Sequence, residues 1–362
     1  MSGWNGTGTS FCRDGGGALP SNCTTCRFSI DELYAAWVHV ERKKGGPGVD
    51  GETLETFRTR LGRNLAGLNG LLKREEYLPM PLRRARIPKE DGNYRELGIP
   101  TVRDRVVFQA VNARLQALLD PIFSPLSFAY RRGKGVNDAI HKVKNFLAEG
   151  RSWYVKGDIR GCFDNLDWNL LSAMLRSTVA DPGLRKLLNR AIRVPVAYRG
   201  NLYERSRGIP QGSPVSPTLC NLYLHQFDLR MSDLGYQAVR YGDDWLALVH
   251  DEQEATRGFY SAADVLSDLR IEIAEGKSGI GDLSKETIVF LGYGIGAEEV
   301  SPSAGAWRSL KKAINRLGKA RSSDEFTAAR ARLLHLEAQY GQSGPIDERN
   351  KGRSRKKWQL FT

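Results

Sequence analysis

Three aspartates that lie far apart in the chain could together support metal-dependent chemistry. Asp158 ends the apolar run WYVKG, and the adjacent Asp243 and Asp244 interrupt the apolar segment VRYGDDWLALVH. Carboxylates held close together repel one another unless cations accompany them. Mg²⁺ prefers such hard oxygen ligands, and two ions about 4 Å apart can clamp the attacking and leaving oxygens of a phosphoryl transfer. If the fold brings the three aspartates together, they are candidates for that chemistry.

The adjacent pair also has a simpler interpretation. Aspartate is common in tight turns, and Gly242-Asp243 fits the tip of a hairpin between two apolar strands. From the four residues YGDD alone, a polar turn is the more frequent explanation. The chemical interpretation therefore depends on the rest of the sequence.

The periodicity of apolar residues predicts the elements that would position these aspartates. Residues 153–159 predict a buried strand ending at the first acid, and VRYGDDWLALVH predicts two strands folded back at Gly242-Asp243. A basic hairpin is predicted for 83–100, around Asp91-Gly92, and a last strand pair for 285–295. Helical spacing is present at 30–44, 53–75, 103–119, 136–148, from 168 into the 170s, and at 216–230, 258–270 and 306–340. The mixture indicates an α/β protein.

Charge and cysteine content restrict the class of partner and compartment. The 362 residues carry 54 Lys and Arg against 41 Asp and Glu, a formal net charge of +13, which favours a polyanionic partner. Residues 303–362 hold fourteen of these cations and five acids, a net +9. No segment approaches the roughly 20 apolar residues of a membrane span, and the first residues lack a secretory signal. With five cysteines, an odd number, we expect a cytoplasmic protein without a disulfide framework.

Several sequence blocks resemble reverse transcriptases, particularly the bacterial enzymes related to group II introns. The most specific are YGDD at 241–244, DIRGCFDNLD at 158–167 and RGIPQGSPVSPTLCNLYL at 207–224. Other blocks of the family are also present in the family's order: GGPGVDG at 45–51, IPKEDGNYRELGIPTVRDRVVFQAV at 87–111, FSPLSFAYRRGKGVNDAI at 123–140, EGKSGI at 275–280 and FLGY at 290–293. The resemblance therefore covers about residues 30–340.

This resemblance implies a right-hand polymerase with fingers, an antiparallel palm sheet packed on helices, and a helical thumb. The implied division is a flexible leader at 1–28, fingers with an N-terminal extension at 29–150, a palm at 151–295 with fingers–palm elements near 180–215, a thumb at 296–345 and a basic tail at 346–362. The implied activity is RNA-directed DNA polymerisation, in which dNTPs are added to a primer 3′-hydroxyl by two-metal phosphoryl transfer.

By resemblance, the catalytic and metal-binding residues are Asp158, Asp243 and Asp244, with the backbone carbonyl of Ile159 as a further oxygen ligand. The implied cofactor is a pair of Mg²⁺ ions, for which Mn²⁺ can substitute. Lys277 matches a lysine that could protonate the pyrophosphate leaving group. The alternative for this lysine is an exposed cation that only offsets phosphate charge.

The resemblance also assigns a nucleotide pocket. Lys89 and Arg95 match fingers residues that contact the incoming triphosphate, a role suited to a point charge and a guanidinium fork. Phe163 matches a bulky ring beneath the sugar that would exclude a 2′-hydroxyl. Gln211 and Gly212 would line the pocket, because glycine lets backbone approach a ligand closely. Without the family context, these residues fit a solvated basic hairpin, a core aromatic ring and a rigid helix start.

The nucleic-acid duplex would be held by the last third of the chain. The turn at 290–293 resembles a primer grip formed by Phe290, Leu291, Gly292 and Tyr293. Basic thumb and tail residues would contact the phosphate backbone: Arg308, Lys311, Lys312, Arg316 and Lys319 in the thumb, and Arg353, Arg355, Lys356 and Lys357 in the tail. For the tail, a plain solubilising end is the alternative.

A zinc site near the N-terminus is a weaker hypothesis. Cys23 and Cys26 form one CxxC motif, with Cys12 before it and His39 after it. Structural zinc sites combine two such ligand pairs, whereas His39 lies alone in a predicted helix. We therefore expect Mg²⁺ chemistry and leave zinc binding open.

The expected partners follow from the assignment: an RNA template, a DNA or RNA primer, dNTPs and a structured noncoding RNA, with no membrane. No DNA-binding or HNH endonuclease segment is recognisable after the thumb-like region. This favours a stand-alone polymerase serving a retroelement, antiphage defence or a CRISPR-type module with host protein partners. Two alternatives stay open: an RNA-dependent RNA polymerase, which often shares the Gly-Asp-Asp tip, and a non-catalytic RNA-binding or splicing-assistance protein.

Overall fold

The computed structural model describes residues 27–88 and 94–340. The helices in these ranges are α1 (Ile30–Arg42), α2 (Leu54–Thr59), α3 (Leu61–Lys73), α4 (Val102–Leu119), α5 (Val136–Ala148), α6 (Cys162–Asn165), α7 (Trp168–Thr178), α8 (Pro182–Ile192), α9 (Ser216–Asp233), α10 (Glu252–Asp268), α11 (Ala304–Lys319) and α12 (Ser323–Tyr340). The strands are β1 (Leu82–Pro88), β2 (Tyr94–Ile99), β3 (Trp153–Asp158), β4 (Val196–Tyr198), β5 (Asn201–Tyr203), β6 (Ala238–Tyr241), β7 (Asp244–Val249), β8 (Gly279–Asp282), β9 (Ile288–Phe290), β10 (Tyr293–Ile295) and β11 (Val300–Pro302).

Most predicted elements form, with some changes at their ends. Ser29 and Glu32 make a reciprocal capping box that starts α1, as predicted. The helix predicted for 53–75 divides at Arg60, and the helix predicted for 258–270 begins earlier because Asp251 caps α10. The strand pair predicted near 290 gains a third strand, β11. The leader to residue 26, its three cysteines, Lys89 and the tail residues lie outside the described ranges.

The central sheet is antiparallel with strand order β6-β7-β3-β8, so β3 is an interior strand. Alternate residues of β3 and β7 contribute to two different cores. Val155 and Trp245 pack in the larger core, which includes residues of α9 and α10. Tyr154 and Leu248 pack on the opposite side with residues of α5. Burial on both faces fixes the register, because a slip of one residue would exchange the two sets of side chains.

A second sheet has the order β2-β1-β4-β5. β1 and β2 form the predicted antiparallel hairpin, and β4 joins β1 in parallel through the pairs Leu82–Val196 and Arg83–Ala197. The β4–β5 hairpin therefore extends the sheet whose β2 strand carries Arg95.

The last two described helices pack on each other through a small core of Leu310, Ala313 and Leu336. α11 begins at the capping residue Ser303, directly after β11. Within the part of the chain that the structure describes, no helix has both the length and the apolar character needed to cross a bilayer.

Candidate active site

Asp158 and Asp244 lie directly opposite each other across the antiparallel β3–β7 pair. Gly242 and Asp243 form the two-residue turn that joins β6 to β7, and Gly242 has φ of +72°. A glycine with positive φ at the first turn position suits a tight hairpin whose twist matches that of the strands. Directly opposed Cβ atoms are typically about 5 Å apart. The fold thus brings together the three aspartates that the sequence predicted.

The electrostatics of this cluster oppose ionisation of Asp243 and Asp244. Burial, followed by the charges of Asp158 and Asp243, raises the pKa of Asp244 to about 6. Burial and the Asp158 charge also raise the pKa of Asp243, against the opposing effects of Arg95 and Lys277. Ionised carboxylates are therefore unfavourable here unless positive charge is added.

Lys277 supplies part of that positive charge. Its Nζ lies 2.8 Å from Oδ2 of Asp158, and this ion pair raises the pKa of the lysine. The segment around it is anchored to the end of β3: Ala274 N donates to Asp158 O at 2.7 Å, and Asp158 N donates to Ser278 Oγ at 3.1 Å. Lys277 therefore lies beside the aspartates. Its role as a proton donor to the pyrophosphate stays a prediction.

The donor set has the chemistry that a divalent cation requires. Among the described residues, no three Asp, Glu, His or Cys side chains are arranged as a ready-made metal site. The three aspartates are nevertheless hard oxygen donors, and two of them have pKa values raised partly by mutual repulsion. A bound cation would relieve that repulsion, so these residues fit the expected ions.

A cleft of about 930 Å³ opens beside the carboxylates. Its walls come from β2, from the end of β3 and the loop after it, from the turn before β7, from the segment before α9, and from α1 and α4. Asp244 does not line it, whereas the following predicted site residues do: Arg95, Asp158, Ile159, Phe163, Gln211, Gly212, Asp243 and Lys277.

Phe163 lies on the short helix α6 and has two environments. It packs against the larger core and also lines the cleft. Its proposed place beneath the nucleotide sugar stays a prediction. Its ring meets Tyr130 edge to face, with centroids 6.4 Å apart and an interplanar angle of 88°. Sequence reasoning did not single out Tyr130, although it lies in the quoted block 123–140.

The loop that carries Gln211 is packed onto β2. Gly98 N donates to Gln211 O at 2.8 Å, and Gln211 Nε2 donates to Asp164 Oδ2 at 2.9 Å. Gly212 has φ of +111°, and a Cβ there would lie 2.9 Å from Gly98 O. Only glycine satisfies both the backbone conformation and this close approach. Arg95 lies on the same strand β2, so the predicted pocket residues of the two segments share one wall.

Arg240 and Asp228 form a buried ion pair that contacts the aspartate hairpin. Both are buried, with Arg240 Nε 2.6 Å from Asp228 Oδ1. The guanidinium also donates to Gly242 O at 3.0 Å and to Ser127 Oγ at 2.8 Å. It thus ties the turn to neighbouring segments. The signal that could have revealed it is a cation within an apolar strand, since a buried charge requires a partner.

The predicted primer-grip residues form a tight turn between β9 and β10. Leu291 and Gly292 have φ of +50° and +83°, and Phe290 pairs with the buried Tyr293. A Cβ on Gly292 would collide with the hydroxyl of Tyr340, so the end of α12 packs on this turn. Its contact with a primer stays a prediction.

The predicted thumb cations are all on α11 and exposed. Its buried residues Ala306, Leu310 and Ala313 define one face, and helical periodicity places most of the cations on the other face. Among the described residues, none of these cations forms an ion pair: Arg308, Lys311, Lys312, Arg316 and Lys319.

Comparison with known sequences identifies similar proteins. Residues 87–295 match the family profile described as reverse transcriptase (RNA-dependent DNA polymerase). Protein YkfC of Escherichia coli (strain K12) is 33% identical over 204 residues, which are 55% of this chain and 53% of that protein. The group II intron-encoded protein LtrA of Lactococcus lactis subsp. cremoris is 30% identical over 201 residues, 55% of this chain and 33% of that protein. The chain thus spans about half or less of these relatives.

Two solved telomerase structures have a fold similar to that of this chain. Telomerase from Candida albicans, in complex with a TWJ fragment of telomeric RNA, has a TM-score of 0.54 at 12% identity, over 85% of this chain and 62% of that chain. Apo telomerase from Candida Tropicalis has a TM-score of 0.53 at 13% identity, over 71% of this chain and 52% of that chain. Together with the family match, these similarities confirm the predicted α/β right-hand polymerase fold.

Proposed function

The chain belongs to the reverse transcriptase (RNA-dependent DNA polymerase) family, and on that premise we propose that it is an RNA-directed DNA polymerase. It extends a primer 3′-hydroxyl with dNTPs. The observation that carries the proposal is the convergence of Asp158, Asp243 and Asp244 beside one cleft that also holds Arg95 and Phe163. Carboxylates that can hold metal ions and a cation that can bind phosphate are groups that phosphoryl transfer uses. Phe163 adds a ring that would exclude a 2′-hydroxyl.

Two Mg²⁺ ions, replaceable by Mn²⁺, would be held by the three aspartates and the Ile159 carbonyl, and would stabilise charge on the attacking and leaving oxygens. The protein's own groups align the reactants. Arg95 binds the triphosphate through its guanidinium fork. Phe163 closes the space that a 2′-hydroxyl would need, and the loop at Gln211 closes the pocket against β2.

Lys277 acts on the leaving group in this proposal. Its raised pKa keeps it protonated at neutral pH, and its contact with Asp158 keeps it at the site. A protonated amine near the departing pyrophosphate can donate a proton to it and offset its charge. Lys89 would join Arg95 on the triphosphate, as the resemblance implies.

The nucleic acid is an RNA template with a DNA or RNA primer, held along α11 by phosphate contacts. We further propose that a structured noncoding RNA of a retroelement-derived or defence system provides the template or the primer. The exposed cations of α11 support a polyanionic partner. RNA that copurifies with the protein should then be dominated by one sequence, and recovery of random cellular RNA would contradict a dedicated partner.

Primer extension on defined templates tests the proposed activity. Purified protein with Mg²⁺ should extend an annealed primer on an RNA template when dNTPs are present. NTPs at the same concentration should be used far less efficiently. Preferential use of NTPs would instead indicate an RNA polymerase, and no extension with either metal or any template would contradict polymerase activity.

A further inference from the structure

Tyr130 has a backbone conformation that its residue type rarely adopts. Its φ is +62°, in the left-handed region that bulky side chains disfavour. Such conformations persist only where surrounding contacts enforce them, and they concentrate at functional sites. The strained residue lies between α4 and α5 and lines the same cleft as Asp158 and Asp243.

Hydrogen bonds on both sides enforce this conformation. Asn221 Nδ2 donates to Ala129 O at 2.8 Å, and Gln116 Nε2 donates to Tyr130 O at 3.3 Å. The next residue, Arg131, places its guanidinium against Asp120 at 2.6 Å and donates to Ser127 O at 2.9 Å. The chain is therefore fixed immediately before, at and after the tyrosine.

The same segment is joined to the strand that leads into the catalytic turn. Phe128 N donates to Arg240 O, and Arg240 N donates to Leu126 O, both at 2.9 Å. The tyrosine ring consequently lies beside the turn: a Cβ on Gly242 would be 3.6 Å from its Cε2 and its hydroxyl oxygen. The ring is thus held relative to the acids.

The ring edge of this tyrosine meets Phe163 in the edge-to-face geometry given above. Aromatic pairs favour this geometry, which restricts the rotation of each ring. Phe163 itself belongs to a four-residue helix that follows a residue with left-handed conformation, Gly161. The larger core and Tyr130 are the side-chain neighbours that contact its ring.

We propose that Tyr130 is a positioning residue that fixes the ring of Phe163 and thereby sets how strongly the protein excludes ribonucleotides. The inference rests on the proposed polymerase function and on the sugar contact of Phe163. A ring can exclude a 2′-hydroxyl only if it cannot turn away, because a mobile ring yields space at little cost. The strained, heavily bonded backbone at Tyr130 provides that rigidity.

Nucleotide selectivity of variants tests this role. Tyr130→Gly removes the ring and also suits the positive φ, so it should fold; Tyr130→Phe keeps the ring edge. The measured quantity is the kcat/KM for adding a single dATP divided by the kcat/KM for adding a single ATP, both opposite the same template base. Tyr130→Gly should lower this ratio by at least about 10-fold, mainly through faster ATP addition. Tyr130→Phe should match the wild type, as should Tyr260→Gln, which alters an exposed tyrosine on α10 outside the cleft.

A double variant distinguishes positioning of the Phe163 ring from an unspecific loss of activity. Phe163→Ala should lower the ratio at least as much, and adding Tyr130→Gly to it should change the ratio little further, because both act through one ring. If Tyr130→Gly slows dATP and ATP equally, or leaves the ratio unchanged while Phe163→Ala lowers it, the positioning role is wrong and the polymerase function stands. A wild-type protein that adds no nucleotide at all would overturn both.

Discussion

Asp158, the last residue of β3, is paired in register with Asp244, the first residue of β7. The pairing places two acids side by side at the end of an interior strand pair, next to a third acid in the turn. Burial and the neighbouring charges raise the pKa of Asp244 to about 6. The geometry is therefore electrostatically costly in the absence of cations, and this cost leads to measurable consequences.

Neutralising Asp244 should stabilise the metal-free protein. The folded state binds its proton more tightly than the unfolded state does, so the wild type loses stability as pH rises from about 4 to about 6. Asp244→Asn lacks this loss. When urea unfolding is measured in the presence of EDTA, the free energy of unfolding of the variant should exceed that of the wild type by about 1–3 kcal/mol at pH 7. The difference should vanish below pH 4.

Asp282→Asn is the matched control for that measurement. Asp282 lies on β8 of the same sheet, and hydrogen bonds from Ser284 lower the pKa of its carboxyl. Neutralising it should give no gain in stability at pH 7. A pH-independent difference for Asp244→Asn, or a less stable variant at pH 7, would contradict the raised pKa that burial and the neighbouring charges give Asp244.

Replacing Lys277 should slow nucleotide addition more than it weakens nucleic-acid binding. Lys277→Met should lower the single-turnover rate by about 100-fold, since general acids typically contribute 10²–10⁴. Lys277→Arg keeps the positive charge and should retain more activity. Lys285→Met is a suitable control, because this exposed lysine also pairs with an aspartate, Asp282 at 3.2 Å, outside the cleft. Full activity of Lys277→Met would rule out the proton-donating role.

A methyl group at Gly212 should disturb the nucleotide pocket. Its Cβ would meet Gly98 O at 2.9 Å, so the loop would have to move away from β2. Gly212→Ala should raise the KM for dNTPs and destabilise the fold by about 1–3 kcal/mol. Gly200 also has positive φ, +81°, but has open space around it.

Gly200→Ala thus isolates the backbone strain, which costs about 1 kcal/mol, from the steric contact. Its KM for dNTPs should equal that of the wild type. Equal effects of the two substitutions on KM would show that the loop contact with β2 has no part in nucleotide binding.

Removing cations from α11 should reduce the salt dependence of primer–template binding. Each phosphate contact contributes about 0.7–0.9 to the slope of log K against log salt. The triple variant Lys312→Gln, Arg316→Gln and Lys319→Gln should therefore lower the slope by about 2 in titrations at several salt concentrations. The control triple, also of exposed cations, should leave it unchanged: Arg63→Gln, Lys142→Gln and Arg257→Gln. Equal slopes for both triples would exclude phosphate contacts by α11.

The strand and the hairpin that carry the three aspartates could be predicted from short stretches of sequence. The strand ending at Asp158 and the hairpin at Gly242-Asp243 follow from apolar runs and turn chemistry over short segments. Helix α8 could also have been predicted, because Asp181 caps it and Pro182 occupies its first turn. The family blocks then indicated which of these segments meet.

Contacts between distant residues carry no comparable local signal. The bond from Lys277 to Asp158 spans 119 positions, and β4 pairs with β1 across more than 100 residues. The left-handed conformation of Tyr130 is likewise held by hydrogen bonds from Asn221 on α9 to Ala129 O and from Gln116 on α4 to Tyr130 O. Such features arise from tertiary packing, which single-sequence periodicity does not encode.

The most direct test of the central claim is primer extension on an RNA template by Asp243→Asn. The substitution keeps the size of the side chain and removes its charge at the turn, so the fold should persist while nucleotide addition falls by at least about 1,000-fold. Asp282→Asn on the same sheet should extend the primer as the wild type does. DNA synthesis by Asp243→Asn at the wild-type rate would contradict the assignment of these aspartates as the catalytic centre.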